Sequence, residues 1–539
     1  MEAFLHPLQG LAEFEEIKKR CGANCGILNV SGCMESQKVH LMYGLSGLFP
    51  YHLILADDER NAKEIYEDYR FYDKNVYFYP AKDLLFFQAD IHGNLLIRQR
   101  MRVIRALLEQ EEVTVVTSID GCMDFLMPLE KIRSRLLHFK SDSVIDLDQL
   151  KEELVELGYE RTGQVELPGQ FSVRGGIIDI YPLTEDNPWR IELWDDEVDS
   201  IRSFDAESQR SLENVDEITI YPAAEKMDGE DMVSFLDYFP EEKTLVFLDE
   251  LNHLAENGEG VEEEYRQSRM HREEKGEANI PEQWLCGFQE LQKKMNRRNC
   301  VAVSALSPRR SGWKINEEFD LTVKSVDSYN SSFELLVKDL LQYKSQGYRI
   351  ALLSGSRTRA ERLAKDLSEE GLNAFYSQDM DRIISPGEIM VVYGHARRGF
   401  QYPLIKFAVM TETDIFGKEQ KKRKKKKKYS GNRIQDFAEL SIGDLVVHEK
   451  HGLGIYRGIE KVEVDRVVKD YIKIEYRGGS NLYILATQLD ALQKYSGSSE
   501  NAKTPKLNKL GGQEWNKTKS RVKGAVKNIA KELDRKSVV

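Results

Sequence analysis

The sequence contains few cysteines, and they are scattered along the chain. None of them forms a CxxC pair or lies near a histidine at a metal-binding spacing, which argues against a structural zinc site. Because reduced, buried cysteines are typical of cytosolic proteins, we predict a cytoplasmic location. The six residues are Cys21, Cys25, Cys33, Cys122, Cys286 and Cys300.

Long apolar runs and familiar catalytic signatures are also missing. No apolar stretch approaches the length of about 18 residues that spans a bilayer, and MEAFLHPLQG at the N-terminus lacks a basic segment followed by an apolar one. The chain has no GxSxG, HExxH or GK[ST]. We therefore expect no membrane contact and no hydrolase centre, and we interpret His395 and His448 as ordinary residues.

Acidic residues outnumber basic ones, although one block of the chain is entirely basic. The net charge is −13 even though Lys421–Lys428 consists entirely of basic residues, so the rest of the chain is more acidic still. Such a surface disfavours nonspecific DNA binding over most of its area and favours protein partners. The block itself is either a flexible spacer that its charge keeps extended or a transient contact with nucleic acid.

The order of β-rich and helical patterns predicts a multidomain α/β protein, with roughly three to five domains for this length. Alternating strands and helices indicate a parallel sheet interrupted by a β-rich insertion, and a second α/β domain follows. A basic linker then leads to a small, partly open β-barrel of about five strands. The predicted boundaries are 1–141 and 224–310 for the split α/β domain, 142–223 for the insertion, 311–416 for the second α/β domain, 417–440 for the linker, 441–497 for the barrel and 498–539 for a final helix.

That final helix is amphipathic, with Val522, Val526, Ile529 and Leu533 at helical spacing among lysines. The chain stops at Val539 without a surface for it to pack against. We therefore expect a truncated chain, and we treat the last residues, DRKSVV, as candidates for a foreign tail.

The insertion carries a period-2 pattern that places three unusual side chains on one face. In FSVRGGIIDIYPL and RIELW, burial of the aliphatic residues leaves Arg174, Arg190 and Trp194 facing water. Trp and Arg on a rigid sheet are typical of a binding hot spot. The alternative is a solvated face with Trp194 folded back over a sheet edge.

The predicted barrel has an exposed strand edge at Gly458–Val464. An edge of this kind can pair with a strand of another protein, in which case the main chain supplies affinity and the side chains set the register. The alternative is a barrel with a purely structural role.

One segment lies where a phosphate-binding loop would lie, but its residues do not suit that role. In SGCMESQKVHLMYG, Gly32 and Lys38 have Walker A spacing, whereas Gln37 replaces the second glycine and Val39 replaces the residue that holds magnesium. Asp249-Glu250 resembles a Walker B pair without a cradle opposite, so we interpret it as a relic or a helix N-terminal charge. We predict no ATP turnover by this chain.

Together these segments resemble the N-terminal half of the bacterial transcription-repair coupling factors. The resemblance rests on LPGQFSVRGGIIDIYPL, RIELWDDEVDSIRSFDAESQRS, GDLVVHEKHGLGIYRGIE and PKLNKLGGQEW. It implies a degenerate RecA-like, UvrB-homology module with no nucleotide at Gly32, Gln37, Lys38 and Val39. It also implies UvrA docking through Arg174, Arg190 and Trp194, and an SH3/Tudor-like, CarD-like module that pairs with the RNA polymerase β subunit through Val462, with Ile459 and Lys461 as further candidates.

The implied function is that of an adaptor in transcription-coupled nucleotide excision repair, monomeric and without a cofactor of its own. The chain ends before the translocase motor, where the family binds ATP, magnesium and double-stranded DNA, and before the C-terminal domain that masks the UvrA surface. The lysine block is not a recognised family feature. Two alternatives stay open: a partial ATP-dependent DNA translocase, and a polymerase-binding transcription regulator that uses only the barrel.

Overall fold

A computed structural model describes residues 1–22, 26–82, 94–224, 232–274, 285–308, 312–416, 440–448, 451–464, 467–478, 480–485, 492–495 and 507–508. The chain divides into two compact units. The first comprises Met1–Leu85, Gln99–Leu137 and Glu225–Lys422, and the second comprises Phe86–Arg98, His138–Ala224 and Arg423–Val539. The lysine block and nearly all of the predicted final helix lie outside the described residues.

Helices and strands alternate in the N-terminal region, as the sequence pattern predicts. The elements are α1 Glu2–Leu8, α2 Ala12–Cys21, β1 Ile27–Ser31, α3 Glu35–Ser46, β2 Tyr51–Ala56, α4 Glu59–Tyr72, β3 Val76–Tyr79, α5 Asn94–Glu109, β4 Val113–Ser118, α6 Ile119–Cys122, β5 Phe125–Leu126 and α7 Leu129–Arg133.

The insertion consists mainly of strands. Its elements are β6 Leu137–Lys140, α8 Leu147–Glu156, β7 Glu160–Arg161, β8 Gln170–Arg174, β9 Ile177–Ile180, β10 Trp189–Trp194, β11 Glu197–Phe204, β12 Ser211–Val215 and β13 Glu217–Ile220. The chain then returns to α/β character with β14 Val233–Ser234, 3₁₀ turns at Phe235–Tyr238 and Glu241–Lys243, β15 Thr244–Asp249, α9 Leu251–Glu274, α10 Phe288–Met295, β16 Asn299–Val303 and β17 Ile315–Asp320.

A second α/β region and a group of strands complete the described chain. The second region contains β18 Lys324–Ser325, α11 Phe333–Ser345, β19 Arg349–Ser354, α12 Arg357–Glu369, β20 Asn373–Tyr376, β21 Glu388–Tyr393, β22 Phe400–Tyr402, β23 Phe407–Thr411 and α13 Glu412–Phe416. The last strands are β24 Leu445–His448, β25 Gly452–Val464, β26 Val467–Glu475, β27 Asn481–Leu485 and β28 Leu492–Lys494.

The first sheet of the described chain is parallel throughout, in the order β17-β1-β16-β15-β2-β4-β3. Strands β1, β4, β15 and β16 are buried along their whole length, as expected for a parallel sheet covered on both faces, and they include buried polar residues such as Asn29 and Thr114. Strand β17, which the sequence pattern assigned to the second α/β domain, pairs with β1 and forms one edge of this sheet.

The second sheet is mixed, in the order β18-β22-β23-β19-β21-β20 over the described residues. It shares one apolar core with the first sheet, because buried residues of both sheets belong to the same cluster. Phe4 of α1 and His40 of α3 both contact the Phe407 ring of β23. Its other face has a core of its own around Leu340, Ile350 and Leu367. The two α/β regions predicted as successive domains are therefore one packed body.

The insertion forms a sheet in the order β12-β11-β10-β9-β8-β7, antiparallel except for the β7–β8 pair. One face is aliphatic and buried, with Phe171, Ile178, Ile191 and Ile201 at 1% exposure or less. This is the face that the period-2 pattern predicts to be inside.

The last strands form an antiparallel sheet in the order β27-β26-β25-β24-β28 within the described residues. The number of strands, five, agrees with the predicted module, although β25 and β26 are longer than expected. No helix among the described residues is long and apolar enough to cross a bilayer.

Candidate functional site

The polar side of the inserted sheet, here called the outer face, is formed by residues that alternate with the buried aliphatic ones. Cross-strand pairing places Ser172 opposite Asp179, and Asp179 opposite Arg190. The outer face comprises Ser172, Arg174, Asp179, Arg190, Glu192, Trp194, Glu197 and Arg202.

A buried carboxylate joins the two arginines of the outer face. Asp179 has no exposed side-chain surface, and it accepts hydrogen bonds from Arg174 Nη2 at 2.7 Å and from Arg190 Nε at 2.6 Å. Arg190 adds a second bond, from Nη2 to Asp179 Oδ2 at 2.9 Å. This bidentate contact raises the pKa of Arg190 above its ordinary value. Two guanidinium groups around one carboxylate leave one net positive charge at this point.

The structure corrects the expectation that Arg190 faces water. Its side chain is only 14% exposed, because it lies 4.3 Å from the Phe204 ring centroid and donates to Gln209 Oε1 as well as to Asp179. Arg174 is 45% exposed. Arg190 therefore holds the sheet together and positions Asp179, whereas Arg174 remains accessible to a partner.

Trp194 is the most accessible aromatic side chain of this surface. It is 81% exposed at the end of β10, which excludes the alternative in which it folds back over a sheet edge. The turn that follows begins with Asp195 in the left-handed backbone region, at a φ of 59°. This two-residue turn ends the strand immediately after Trp194, so the ring projects at the tip of a hairpin.

A second ion pair lies beside Trp194 on the same face. Arg202 donates to both oxygens of Glu192, with Nη1 to Oε2 at 2.8 Å, and Ser200 Oγ donates to the same oxygen. The hydrogen bonds from Arg202 lower the pKa of Glu192. This pair is neutral overall, so it contributes rigidity more than charge.

The sequence analysis did not identify Asp179, the residue that organises the site. An aspartate within IIDI, in an otherwise apolar strand, was the signal available. A buried carboxylate requires partners, and two arginines at neighbouring outward positions could supply them.

The loop with Walker A spacing is closed by contacts within the protein. Its residues 32–34, here called the Gly32 loop, donate their backbone amides to Ala305 O at 3.3 Å, to Ser304 O at 3.1 Å and to Gln37 Oε1 at 3.0 Å. A phosphate bound at such a loop would need those amides. Gly32 has a φ of 77°, and a Cβ there would lie 2.1 Å from Leu321 O, so chain packing requires the glycine.

The lysine with Walker A spacing pairs with the two acidic residues that resemble a Walker B pair. Lys38 Nζ lies 2.7 Å from Asp249 Oδ1 and 2.6 Å from Glu250 Oε1, and the lysine side chain is 12% exposed. Burial acts to lower the pKa of Lys38, but the two carboxylates outweigh it and raise that pKa. Lys38 therefore supplies the positive charge that pairs with both carboxylates.

The strand edge predicted at Gly458–Val464 is present in the backbone. Strand β25 pairs with β26 as far as Val464, whereas its pairing with β24 stops at Ile455. Within the described residues the β24 side of Gly458–Val464 therefore has no strand partner, and we call it the open edge. The side chains of Lys461 and Val462 lie outside the described residues, and Ile459 packs partly against the sheet core.

Two protein families match parts of the chain. The family described as "UvrB interaction domain" matches residues 137–225, which contain the whole outer face. The family described as "CarD-like/TRCF RID domain" matches residues 440–496, which contain the open edge.

Longer similarity is found to curated proteins named "Transcription-repair-coupling factor". The chain is 30% identical over 578 residues to that of Bacillus subtilis (strain 168), covering 94% of this chain and 49% of the relative. It is 29% identical over 520 residues to that of Staphylococcus aureus (strain MRSA252), covering 85% and 44%. The chain therefore spans about half the length of these relatives, and the resemblance inferred from its motifs is confirmed.

Proposed function

We propose, from its similarity to about half of the transcription-repair-coupling factors, that this chain is an adaptor that binds UvrA through the outer face and the RNA polymerase β subunit through the open edge. The observation that carries the proposal is the position of the two matched families, since one contains the exposed Trp194 and the other contains the open edge. Both surfaces suit protein recognition, one through the exposed Trp194 on the same face as Arg174, and the other through main chain that has no strand partner within the described residues.

The chain acts in this proposal without nucleotide hydrolysis of its own, as a UvrB-like module with a degenerate RecA-like site. Three facts support this: the amides of the Gly32 loop are already bonded, Lys38 is paired with Asp249 and Glu250, and the Gln37 side chain is held by Met34 and Tyr402. ATP and magnesium binding, and most contact with double-stranded DNA, belong in this proposal to a motor outside the present sequence.

The proposed binding of UvrA to the outer face is tested by the Trp194→Ala variant. A central aromatic of an interface contributes about 2 kcal/mol or more, so affinity for UvrA falls at least tenfold. Leu306→Ala is the matched control, because Leu306 is also 81% exposed but lies in the other unit. Titration of labelled UvrA measures both. Equal affinity of the two variants contradicts the assignment.

The proposed binding of the RNA polymerase β subunit to the open edge is tested by the Val462→Arg variant. A charge at a strand-pairing contact is desolvated on binding, so we expect loss of β-subunit capture while the far-ultraviolet circular dichroism is unchanged. Tyr483→Arg on β27 serves as control, because β26 separates that strand from β25 and its β24 side. Capture that survives Val462→Arg and fails with Tyr483→Arg places the contact elsewhere.

A further inference from the structure

The outer face carries a second exposed apolar residue, which lies outside the sequence motifs described above. Val144 is 71% exposed and forms an isolated antiparallel bridge with Glu197. Glu197 also pairs with Trp194 across the β10–β11 hairpin. Residues directly opposite one another in antiparallel strands project from the same face, so Val144, Glu197 and Trp194 form one row.

The spacing of this row suits a single partner surface. Neighbouring strands lie about 4.8 Å apart, which places Trp194 and Val144 about 10 Å apart with Glu197 between them. An apolar side chain of a partner can therefore contact both. The same row adds apolar area to a surface that also carries the exposed, charged Arg174.

Val144 is held in place before any partner binds. Asp142 N donates to Val198 O at 3.0 Å, Val198 N donates to Ser143 O at 2.9 Å, and Ile145 N donates to Asp196 O at 2.8 Å. Asp146 then caps α8 by accepting from Asp148 N and Gln149 N. A segment fixed on both sides loses little conformational entropy on binding, so its exposed side chain contributes efficiently.

The charges around the row define the chemistry of the partner. Asp195, Asp196, Glu197 and Asp199 are exposed at the hairpin tip, while the exposed Arg174 lies beyond Glu192 on the same face. A complementary protein surface has an apolar centre, a basic group facing the hairpin tip and a carboxylate facing Arg174. The acidic tip argues against nucleic acid as the occupant.

We propose that Val144 and Trp194 together form the apolar centre of the docking surface, and that the protein bound there presents an apolar side chain flanked by a basic group. This inference rests on the proposed function, in which the bound protein is UvrA. It adds Val144 and the hairpin tip to a site that the sequence limited to Arg174, Arg190 and Trp194.

The test compares UvrA affinity of the full chain and three variants by titration at low and moderate salt. Val144→Arg is expected to weaken binding at least tenfold, because it removes apolar contact and opposes the partner's basic group. Leu212→Arg on β12, 54% exposed in the same sheet, is the matched control and should bind like the unmodified chain. Trp194→Ala reports on the proposed function itself.

The outcomes separate the two ideas. Weakening by Val144→Arg and Trp194→Ala but not by Leu212→Arg supports the inference. Weakening by Trp194→Ala with unchanged binding of Val144→Arg overturns the inference alone. Unchanged binding of Trp194→Ala and Val144→Arg overturns the proposed function as well. Val144→Leu keeps the apolar contact and adds no charge, so its affinity for UvrA should stay within about threefold of the unmodified chain. If Val144→Leu weakened binding as much as Val144→Arg does, the inference would also be overturned.

Discussion

The two arginines that contact Asp179 on the outer face have different roles, although they are the same residue type. Arg174 and Arg190 share one carboxylate, but their exposed fractions are 45% and 14%. A buried guanidinium that neutralises a buried carboxylate contributes to stability, whereas an exposed one remains free to bind a partner.

Arg190→Ala and Arg174→Ala should therefore differ in their effects. Loss of Arg190 removes two hydrogen bonds from the fully buried Asp179 and should lower the free energy of unfolding of the insertion by about 2 kcal/mol or more. Arg174→Ala should change that free energy much less while weakening UvrA binding. Urea unfolding and titration of the two variants measure the difference. Equal destabilisation by both changes would contradict it.

A buried histidine links the helices of the first unit to the second sheet. His40 has no exposed surface, and its ring nitrogens lie 3.1 Å from the Tyr402 hydroxyl and 3.0 Å from Phe4 O. Burial lowers the pKa of His40 to about 4 from an ordinary 6.5, and the bond to Phe4 offsets this only in part.

Acid should consequently destabilise this unit. Between pH 6.5 and 4 the unfolded chain binds a proton at this histidine and the folded chain does not, so stability is complete above 6.5 and falls as the pH drops. The loss approaches about 3 kcal/mol at pH 4. Unfolding measured at pH 7 and pH 5 should show a smaller difference in His40→Gln than in the unmodified chain. The exposed His395→Gln is the control, and an unchanged pH dependence in His40→Gln would exclude this role.

At the scale of elements, the Gly32 loop and α3 show how a loop with Walker A spacing is closed by contacts within the protein. The loop amides bond to the carbonyls that follow β16, and Lys38 on α3 bonds to the end of β15. Asn61 on α4 donates to the other oxygen of Asp249 at 2.8 Å. Three elements therefore meet at a carboxylate that is only 3% exposed.

Lys38→Met should destabilise the first unit, and ATP should have no effect on the thermal unfolding of either this variant or the unmodified chain. Removing the lysine takes the shared cation away from the buried carboxylate of Asp249 and the partly exposed carboxylate of Glu250, which costs about 3–5 kcal/mol. Lys63→Met, which breaks an exposed helical pair with Glu59, should cost well under 1 kcal/mol. Thermal unfolding with and without ATP measures both effects. An ATP-dependent stabilisation that Lys38→Met abolishes would show instead that the site binds nucleotide.

At the scale of the whole molecule, the proposed binding surfaces belong to different parts of the chain, so their functions should be separable. The outer face lies within residues 137–225 and the open edge within residues 440–496. Each region has its own core, around Phe171 and Ile191 in one and Ile472 and Ile474 in the other. A substitution on one surface is therefore expected to leave the other folded.

Bridging of the two partners should require both surfaces in one chain. Immobilised UvrA should retain the β subunit only when the unmodified chain is present. Trp194→Ala should lose the bridge but still bind the β subunit in solution, and Val462→Arg should show the reverse. Retention that persists in either variant, or that occurs without the chain, would contradict the adaptor function.

Sequence alone determined the α/β character, the order of the regions, the aliphatic side of the inserted sheet and the loss of Walker A residues, because these depend on residue type and on local periodicity. Tertiary structure decided which polar residues meet. The burial of Arg190 by Phe204 and Gln209, the pairing of Lys38 with Asp249, and the row that joins Val144 to Trp194 all bring together residues distant in sequence. The position of β17 beside β1 was likewise set by packing rather than by its local pattern. Periodicity shows which way a side chain points, but only the packed strands and helices determine what it contacts.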